Sequence, residues 1–389
     1  MSALPHLPWA EWLSAIRRHL HQHPEVGFEE HETAAFLESE LRALGLTPRR
    51  VAGTGVVVDL TGRGPGPIRA YRADIDALPV ADAKQVPYAS SRPGVAHLCG
   101  HDAHTAIALG VVRYLLEHND WTGTVRVLFQ PAEEPTPSGA PEMVRAGVME
   151  GVEAIYAVHV DPALPVGVFG FRAGPLSAAT DSVRLLLRGP RTVHSARPHE
   201  APDPVWAAVQ IAQLWYGFSG RVHDARQPAV WALTYLQAGS ALNVVPDRVE
   251  LGGTLRTTDP VAREHWHTMM RESARALAAT FGLDCELHVA RGAPPVWNDP
   301  RLIAHARQLA LALFGPEAIA ELEQPSMGGE DFSVYLEYAP GAMVRVGTRS
   351  GPETGFELHD SRFDIDEGAL PLAVCLMGEV LRRWPPEAP

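Results

Sequence analysis

The chain of 389 residues holds only three cysteines, Cys99, Cys285 and Cys375. They are too few and too scattered for a disulfide framework, so the expected setting is the reducing cytoplasm, where a thiol can serve as a ligand. A redox role for Cys99 needs a resolving thiol, and the other two lie in segments read as different elements. No window supplies the roughly 18 uninterrupted apolar residues of a membrane span. The opening stretch MSALPHLPWAEWLSAIRRHL lacks the basic region, apolar run and small-residue site of a secretion signal. Positive charge is also short: 33 Lys and Arg stand against 46 Asp and Glu, a net charge of -13 that argues against a nucleic-acid surface. Internal repeats and low-complexity tracts are missing.

What is present is the composition of an ordered enzyme-sized protein. Hydrophobic residues make up 46% and charged residues 20%, so the 34 Gly and 34 Pro read as tight turns in a fold of two domains or three small ones. Up to about residue 175 helical and strand patterns alternate. AEWLSAIRRHLHQH and EEHETAAFLESELRALG have helical spacing, whereas GVVVDL, IRAYRADID, TVRVLFQ and AIYAVHV are short apolar or β-branched strands. This predicts an α/β fold, a mixed sheet with helices on both faces. From SVRLLLRG to CELHVARGAPP the order becomes β-α-β-β-α-β, with NVVPD as a turn, which predicts an inserted ferredoxin-like α+β domain over residues 177–293. Residues 1–176 and 294–389 then form the catalytic domain.

Functional side chains in such sheets collect beyond strand ends, and four ends here carry chemistry. HLCGHDAHT places Cys99 and His101 one residue apart, a thiolate and an imidazole that suit Zn, Co, Ni or Mn better than Mg or Ca. Alone, the cluster also fits a solvated turn. TVRVLFQPAEE stops at Pro131 and delivers Glu133 and Glu134; one carboxylate of such a pair can bind metal while its neighbour moves a proton. An acidic helix start is the plainer explanation. AIYAVHV ends in His159, and FELHDSRFDIDEGAL presents His359. Four coincidences in one domain are a poorer account than a dinuclear metal site. Asp74 and Asp76 in YRADIDALP are read as orienting the ligating histidines.

RADIDALP, CGHDAHT, FQPAEE, AVHV, GPLSAATDSV, HSARPH, ALNVVPD, GGTLRT, GGEDFSVY and LHDSRFDID follow one another in a familiar order. Together they resemble the amidohydrolase branch of the aminoacylase and carboxypeptidase G2-like dinuclear metallopeptidases, which includes hippurate hydrolases, N-acyl-amino-acid amidohydrolases and indoleacetyl-amino-acid hydrolases. The resemblance implies that Cys99, His101, Glu134, His159 and His359 hold two divalent ions and that Glu133 is the general acid/base. It implies that the inserted domain is a lid and dimerisation domain, that His194 reaches the partner subunit's site to support the oxyanion, and that Asn243 and Arg256 bind substrate. The implied activity is hydrolysis of N-acyl amino acids by a homodimer or dimer of dimers, with a metallo-exopeptidase as the alternative. Two stretches depart from the family pattern: PTPSGAP, and Thr192 with Val193, stand where glycines are usual, and stiffer loops beside the substrate follow.

Overall fold

The apolar runs of the first half and one run near the end form a single eight-stranded sheet. Its spatial order is Arg49–Val51, Gly55–Thr61, Thr124–Gln130, Ile68–Asp74, Val152–Pro165, Gly341–Arg349, Phe169–Phe171 and Ile319–Glu321. The four central strands are mutually parallel, while Gly55–Thr61 pairs antiparallel with Thr124–Gln130 and Phe169–Phe171 antiparallel with Gly341–Arg349, so the sheet is mixed as expected. Central strands are buried on both faces: Gly341–Arg349 fills them with mostly apolar side chains, whereas Ile68–Asp74 also buries Arg69, Arg72 and Asp74. The structure is a computed structural model that describes residues 7–384. Among these, no helix is long and apolar enough to cross a membrane.

One sheet face packs against Ala10–Gln22, His31–Ala43, His101–Glu117, Pro300–Phe314 and Ala369–Arg382 in one continuous core. The other meets the short helix Ala140–Arg145 and the helical turns Asp331–Glu337, where Met143 lies over Gly55 and Leu336 over Gly341. His101–Glu117 is the central helix and is buried nearly all round. A Cβ at its Gly110 would come within 2.5 Å of Val374 and 2.8 Å of Leu13, so glycine lets two further helices close on it.

By internal contacts the chain divides into two units. One runs through Gly174 and takes in Trp297–Gln324 and the residues from Asp331 on; the other comprises Pro175–Val296 and Pro325–Glu330. The second has the β-α-β-β-α-β order, with strands Ala229–Ala238, Arg248–Thr257, Ala179–Arg188 and Asp284–Arg291 side by side and antiparallel. Burial alternates along Ala179–Arg188, the signature of a sheet covered on one face. Its helices Pro204–Arg221 and Pro260–Thr280 each begin with Pro, after Asp203 and Asp259, whose carboxylates accept from Val205 N and Ala262 N. Two details differ from the sequence reading. NVVPD is more than a turn, because Val244–Val245 pairs with Val193–His194. Pro325–Glu330 joins the second unit because Ala178 N donates to Gly328 O and Ser326 N to Leu176 O.

Asp181 braces this second unit from inside. Arg263 Nε donates to its Oδ2 at 2.9 Å, His267 Nε2 lies 2.7 Å from Oδ2, and Gly292 N donates to Oδ1 at 3.1 Å. Burial alone would raise this carboxyl, but the hydrogen bonds from Arg263 and His267 outweigh it and hold it down at about 2. A carboxyl depressed by about two units stabilises by roughly 2 kcal/mol above its unfolded value near 4, and that contribution fades as pH falls to about 2. Asp181→Asn should therefore unfold at lower temperature than wild type at neutral pH, with the difference shrinking between about pH 4 and pH 2. Thermal melts across that range provide the check, and a gap that stays constant with pH would remove Asp181 as the brace.

Candidate metal centre

The carboxyl ends of the parallel strands meet the start of the central helix. Cys99 and His101 flank Gly100, which has φ 86° and whose Cβ would sit 2.2 Å from Val160 Cγ2. Only glycine tolerates both conditions, so the turn presenting the thiol and the imidazole depends on it. His101 opens the helix His101–Glu117; its Nδ1 lies 2.9 Å from Asp76 O and 3.1 Å from Asp76 Oδ1. Its Nε2 lies 3.8 Å from Asp74 Oδ2, 3.9 Å from Glu134 Oε1 and 4.0 Å from Glu133 Oε2.

Beyond the strand Thr124–Gln130, Ala132 takes φ 51°, a left-handed conformation that costs a non-glycine residue about 1–3 kcal/mol. The turn is held by Ala132 N donating to Glu30 Oε1 at 2.7 Å, Gly139 N to Ala132 O at 2.7 Å and Glu134 N to Asp76 Oδ2 at 3.0 Å. His359 is also left-handed, φ 69°, and donates its N–H to Leu98 O at 2.8 Å, beside Cys99. Its Nε2 comes within 3.4 Å of Glu134 Oε1. His159 lies inside the strand Val152–Pro165 and not at its end; its Nδ1 is 2.8 Å from Val160 O and its Nε2 is 3.7 Å from Cys99 Sγ. With Nδ1–H donating to the carbonyl, Nε2 carries the lone pair that a metal needs.

Among the triads of donor atoms that gather here are Cys99 with Glu134 and His359, and His101 with Glu133 and Glu134. Glu134 belongs to both. His159 falls in neither and touches the first through Cys99. Sequence reasoning gave Glu133 and Glu134 separate tasks, whereas their positions bring both carboxylates to His101. The residues fit metal on two counts. Buried His101 Nε2 and Glu134 Oε1 have no hydrogen-bond partner, and a buried polar atom without a partner is otherwise costly. The donor set of thiol, imidazole and carboxylate is one that borderline divalent ions accept.

The electrostatics point the same way. Burial would lower His101, but the Asp74 charge and the Asp76 hydrogen bond outweigh it and hold the imidazole well above its usual value, so positive charge is favoured at this point. Burial, reinforced by the Arg345 charge, keeps His159 well below its usual value and therefore neutral. Burial pushes the Cys99 thiol up. The Glu134 carboxylate, whose Oε1 faces His359 Nε2 at 3.4 Å, raises His359.

Asp74, read from sequence as orienting a ligating histidine, faces His101 and also grips a histidine that was given no role. Asp74 Oδ1 lies 2.6 Å from His104 Nδ1, and His104 Nε2 accepts from Val160 N at 2.9 Å, so this imidazole is spent on structure. Arg72 Nη1 donates to Asp74 Oδ2 at 2.7 Å and Arg72 Nη2 to Asp331 Oδ1 at 2.8 Å, with Gln130 between them. In CGHDAHT the His101 to His104 spacing of three puts both on one helix face, the only sequence signal for His104. In the second unit His194 is exposed and adjoins Asn243, whose O accepts from Ser195 N at 2.9 Å. Arg256 is half-buried, with Nη1 donating to Thr180 Oγ1 at 3.3 Å and Met327 O at 2.8 Å.

An α/β sheet whose strand ends converge thiol, imidazole and carboxylate donors defines a metal-dependent hydrolase. The chain belongs to peptidase family M20/M25/M40, whose profile matches residues 70–383. It is 39% identical over 363 residues to N-acetylcysteine deacetylase of Bacillus subtilis, covering 92% of this chain and 93% of that one. It is 35% identical over 368 residues to thermostable carboxypeptidase 2 of Saccharolobus solfataricus, covering 93% and 92%. Among solved structures it is similar to a dinuclear metal-binding M20 peptidase of Bacillus subtilis, with TM-score 0.85, 36% identity and coverage of 96% and 97%.

Metal ligation displaces protons from a thiol that burial keeps protonated and from an imidazole that its neighbours keep protonated. The affinity of the metal-free protein for Zn²⁺ should therefore climb with pH, by roughly tenfold per unit for each proton released. Competition titrations with a chromophoric chelator between pH 6 and pH 8 measure the slope. An affinity independent of pH would exclude Cys99 and His101 from the binding set.

Proposed function

We propose that the chain hydrolyses the amide bond of N-acyl amino acids, releasing a carboxylic acid and an amino acid, with two divalent ions of the Zn, Mn, Co or Ni type. The observation that carries this reading is Glu134, whose buried, unpartnered oxygen is common to both donor sets. Cys99, His101, Glu134, His159 and His359 would hold the ions. Bound there, the ions would supply Lewis acidity, polarising the amide carbonyl and lowering the pKa of a water molecule toward about 7. Glu133, beside His101, takes the proton from the attacking water and returns it to the departing amine. Asp76 orients His101, and Asp74 acts through His104.

In the second unit, Arg256 keeps Nη2 for a carboxylate, the group a guanidinium binds through paired hydrogen bonds, and Asn243 stands beside His194 to bind substrate polar groups. His194 would donate to the oxyanion in the site of a second copy of the chain. Exposed Trp206, Tyr216, Leu236 and Leu242 on this unit support assembly into a homodimer or a dimer of dimers. The resemblance to carboxypeptidase 2 favours a second reading, a metallo-exopeptidase with the same ligands and a peptide in place of the acyl group.

The metal-reconstituted protein should cleave members of a panel of N-acetyl, N-benzoyl and longer N-acyl amino acids faster than dipeptides. Glu133→Gln should keep its metal and lose activity about a hundredfold or more, while Glu134→Gln should lose metal as well. Faster cleavage of dipeptides would select the exopeptidase reading, and metal loss in Glu133→Gln instead would exchange the two roles.

A mixture of Glu133→Ala and His194→Ala proteins, each nearly inactive, tests the shared site. In a two-fold dimer with exchanged subunits, one centre of every heterodimer carries neither defect, so activity should return to about a quarter of wild type. Absence of recovery after demonstrated exchange would return His194 to its own chain.

A further inference from the structure

Behind the donor residues lies a second buried charge group that the proposed chemistry does not use. Arg17 and His21 stand one turn apart on Ala10–Gln22 and are fully buried. Arg17 Nε donates to Asp102 Oδ2 at 2.8 Å, and its Nη2 to Asp364 Oδ1 at 2.6 Å. His21 Nδ1 lies 2.7 Å from the same Asp102 oxygen, and its Nε2 3.3 Å from Asp82 Oδ2. The Tyr88 hydroxyl donates to Asp364 Oδ2 at 2.9 Å, and Ser90 N to Asp82 Oδ2 at 3.0 Å.

The carboxylates are placed informatively. Asp102 directly follows His101, and Asp364 belongs to the segment that follows His359. One guanidinium thus joins the two stretches of chain that carry donors from opposite ends of the sequence. Ala83 N donating to Ser361 O ties the loop of Asp82 to that same second stretch. Stability alone does not call for such a group, because apolar residues of similar volume fill buried sites as well or better. A planar fork with fixed donor directions does something apolar packing does not, which is to set a distance and an angle between two carboxylates.

We propose that Arg17, assisted by His21, is a positioning residue for the metal centre, fixing the separation between the His101 and His359 segments. The inference rests on the reading of those two histidines as ligands. Arg17 touches neither the donors nor the substrate; it acts through Asp102 and Asp364.

The test compares metal binding with stability. Arg17→Lys keeps the charge and loses the fork. His21→Ala removes one of the two side chains that bond Asp102, and His21→Asn restores an amide where Nδ1 stands. Leu37→Ala, at a buried core position on the helix His31–Ala43, which carries none of the donors, serves as a control for lost stability. Zn²⁺ affinity of the metal-free proteins, their melting temperatures, and kcat and KM after reconstitution are measured together. Arg17→Lys should bind Zn²⁺ about 10- to 100-fold more weakly, the size of effect that residues supporting ligands produce, and lose kcat with little change in KM. His21→Ala should lose several-fold in affinity and His21→Asn should recover most of it. Leu37→Ala should bind as wild type even when it melts as low. Wild-type affinity in Arg17→Lys would overturn the proposal, as would an equal loss in Leu37→Ala. If Arg17→Lys fails to fold, the two His21 variants decide, and equal affinities in them and wild type would overturn it. Failure of the ligand reading looks different: Cys99→Ala would then bind both ions as wild type does.

Discussion

Asp74, Asp76, His101, Asp102, His104 and Asp331 at the carboxyl end of this sheet are taken out of water, and each must find a partner of opposite charge or complementary hydrogen bonding, whereas His359 stays exposed. Burying an unpaired carboxylate or imidazolium costs far more than a domain's net stability can bear. Asp74 is satisfied by Arg72 and His104, Asp102 by Arg17 and His21, and Asp331 by Arg72 and Gln130. Some buried atoms still lack a hydrogen bond, among them Arg17 Nη1 and both ring nitrogens of His97. At the donor cluster, His101 Nε2 and Glu134 Oε1 lie 3.9 Å apart with no hydrogen bond to either, which marks a spot where a cation is wanted.

The paired glutamates owe their positions to residues far from the motif that announces them. Glu30, on the approach to His31–Ala43, accepts from Ala132 N and Thr54 Oγ1, and it keeps Ala132 in a conformation the chain would otherwise avoid. Asp76 then takes the next free amide, that of Glu134, and the same side chain reaches His101 Nδ1. A single aspartate therefore sets the approach of a carboxylate and of an imidazole to the same point. Asymmetry between neighbours arises here too, since Glu134 lies between His101 and His359, and Glu133 stands at 4.0 Å from His101 Nε2.

The α/β class, the mixed sheet and the change to β-α-β-β-α-β order were legible in the sequence, because apolar periodicity and Asp-Pro helix starts are local signals. So was the concentration of chemistry in CGHDAHT and PAEE, short motifs at the ends of strong strands. What stayed hidden depends on partners distant in sequence. His104 looks like His101 in the motif, and only the contact of Asp74 with it and of Val160 N with its other nitrogen shows that it is occupied. Arg17 and His21 read as polar positions of an amphipathic helix; their burial follows from carboxylates contributed by the Asp82, Asp102 and Asp364 segments. Pro325–Glu330 carries no strand pattern at all, and its membership of the second unit comes from two backbone hydrogen bonds to Leu176 and Ala178.

The order of the donors along the chain has a consequence for biosynthesis. Cys99, His101, Glu134 and His159 emerge from the ribosome before the whole of the second unit, and His359 and Asp364 only after it. At about 5–20 residues per second, the first four spend on the order of ten seconds or more without the last donor and without the carboxylate that completes the Arg17 fork. During that interval the nascent polypeptide carries a thiol and two imidazoles able to capture any thiophilic ion that passes. Completion of the proposed donor set therefore waits for the C-terminal part of the chain, which also supplies the central strand Gly341–Arg349 and the core helices Pro300–Phe314 and Ala369–Arg382.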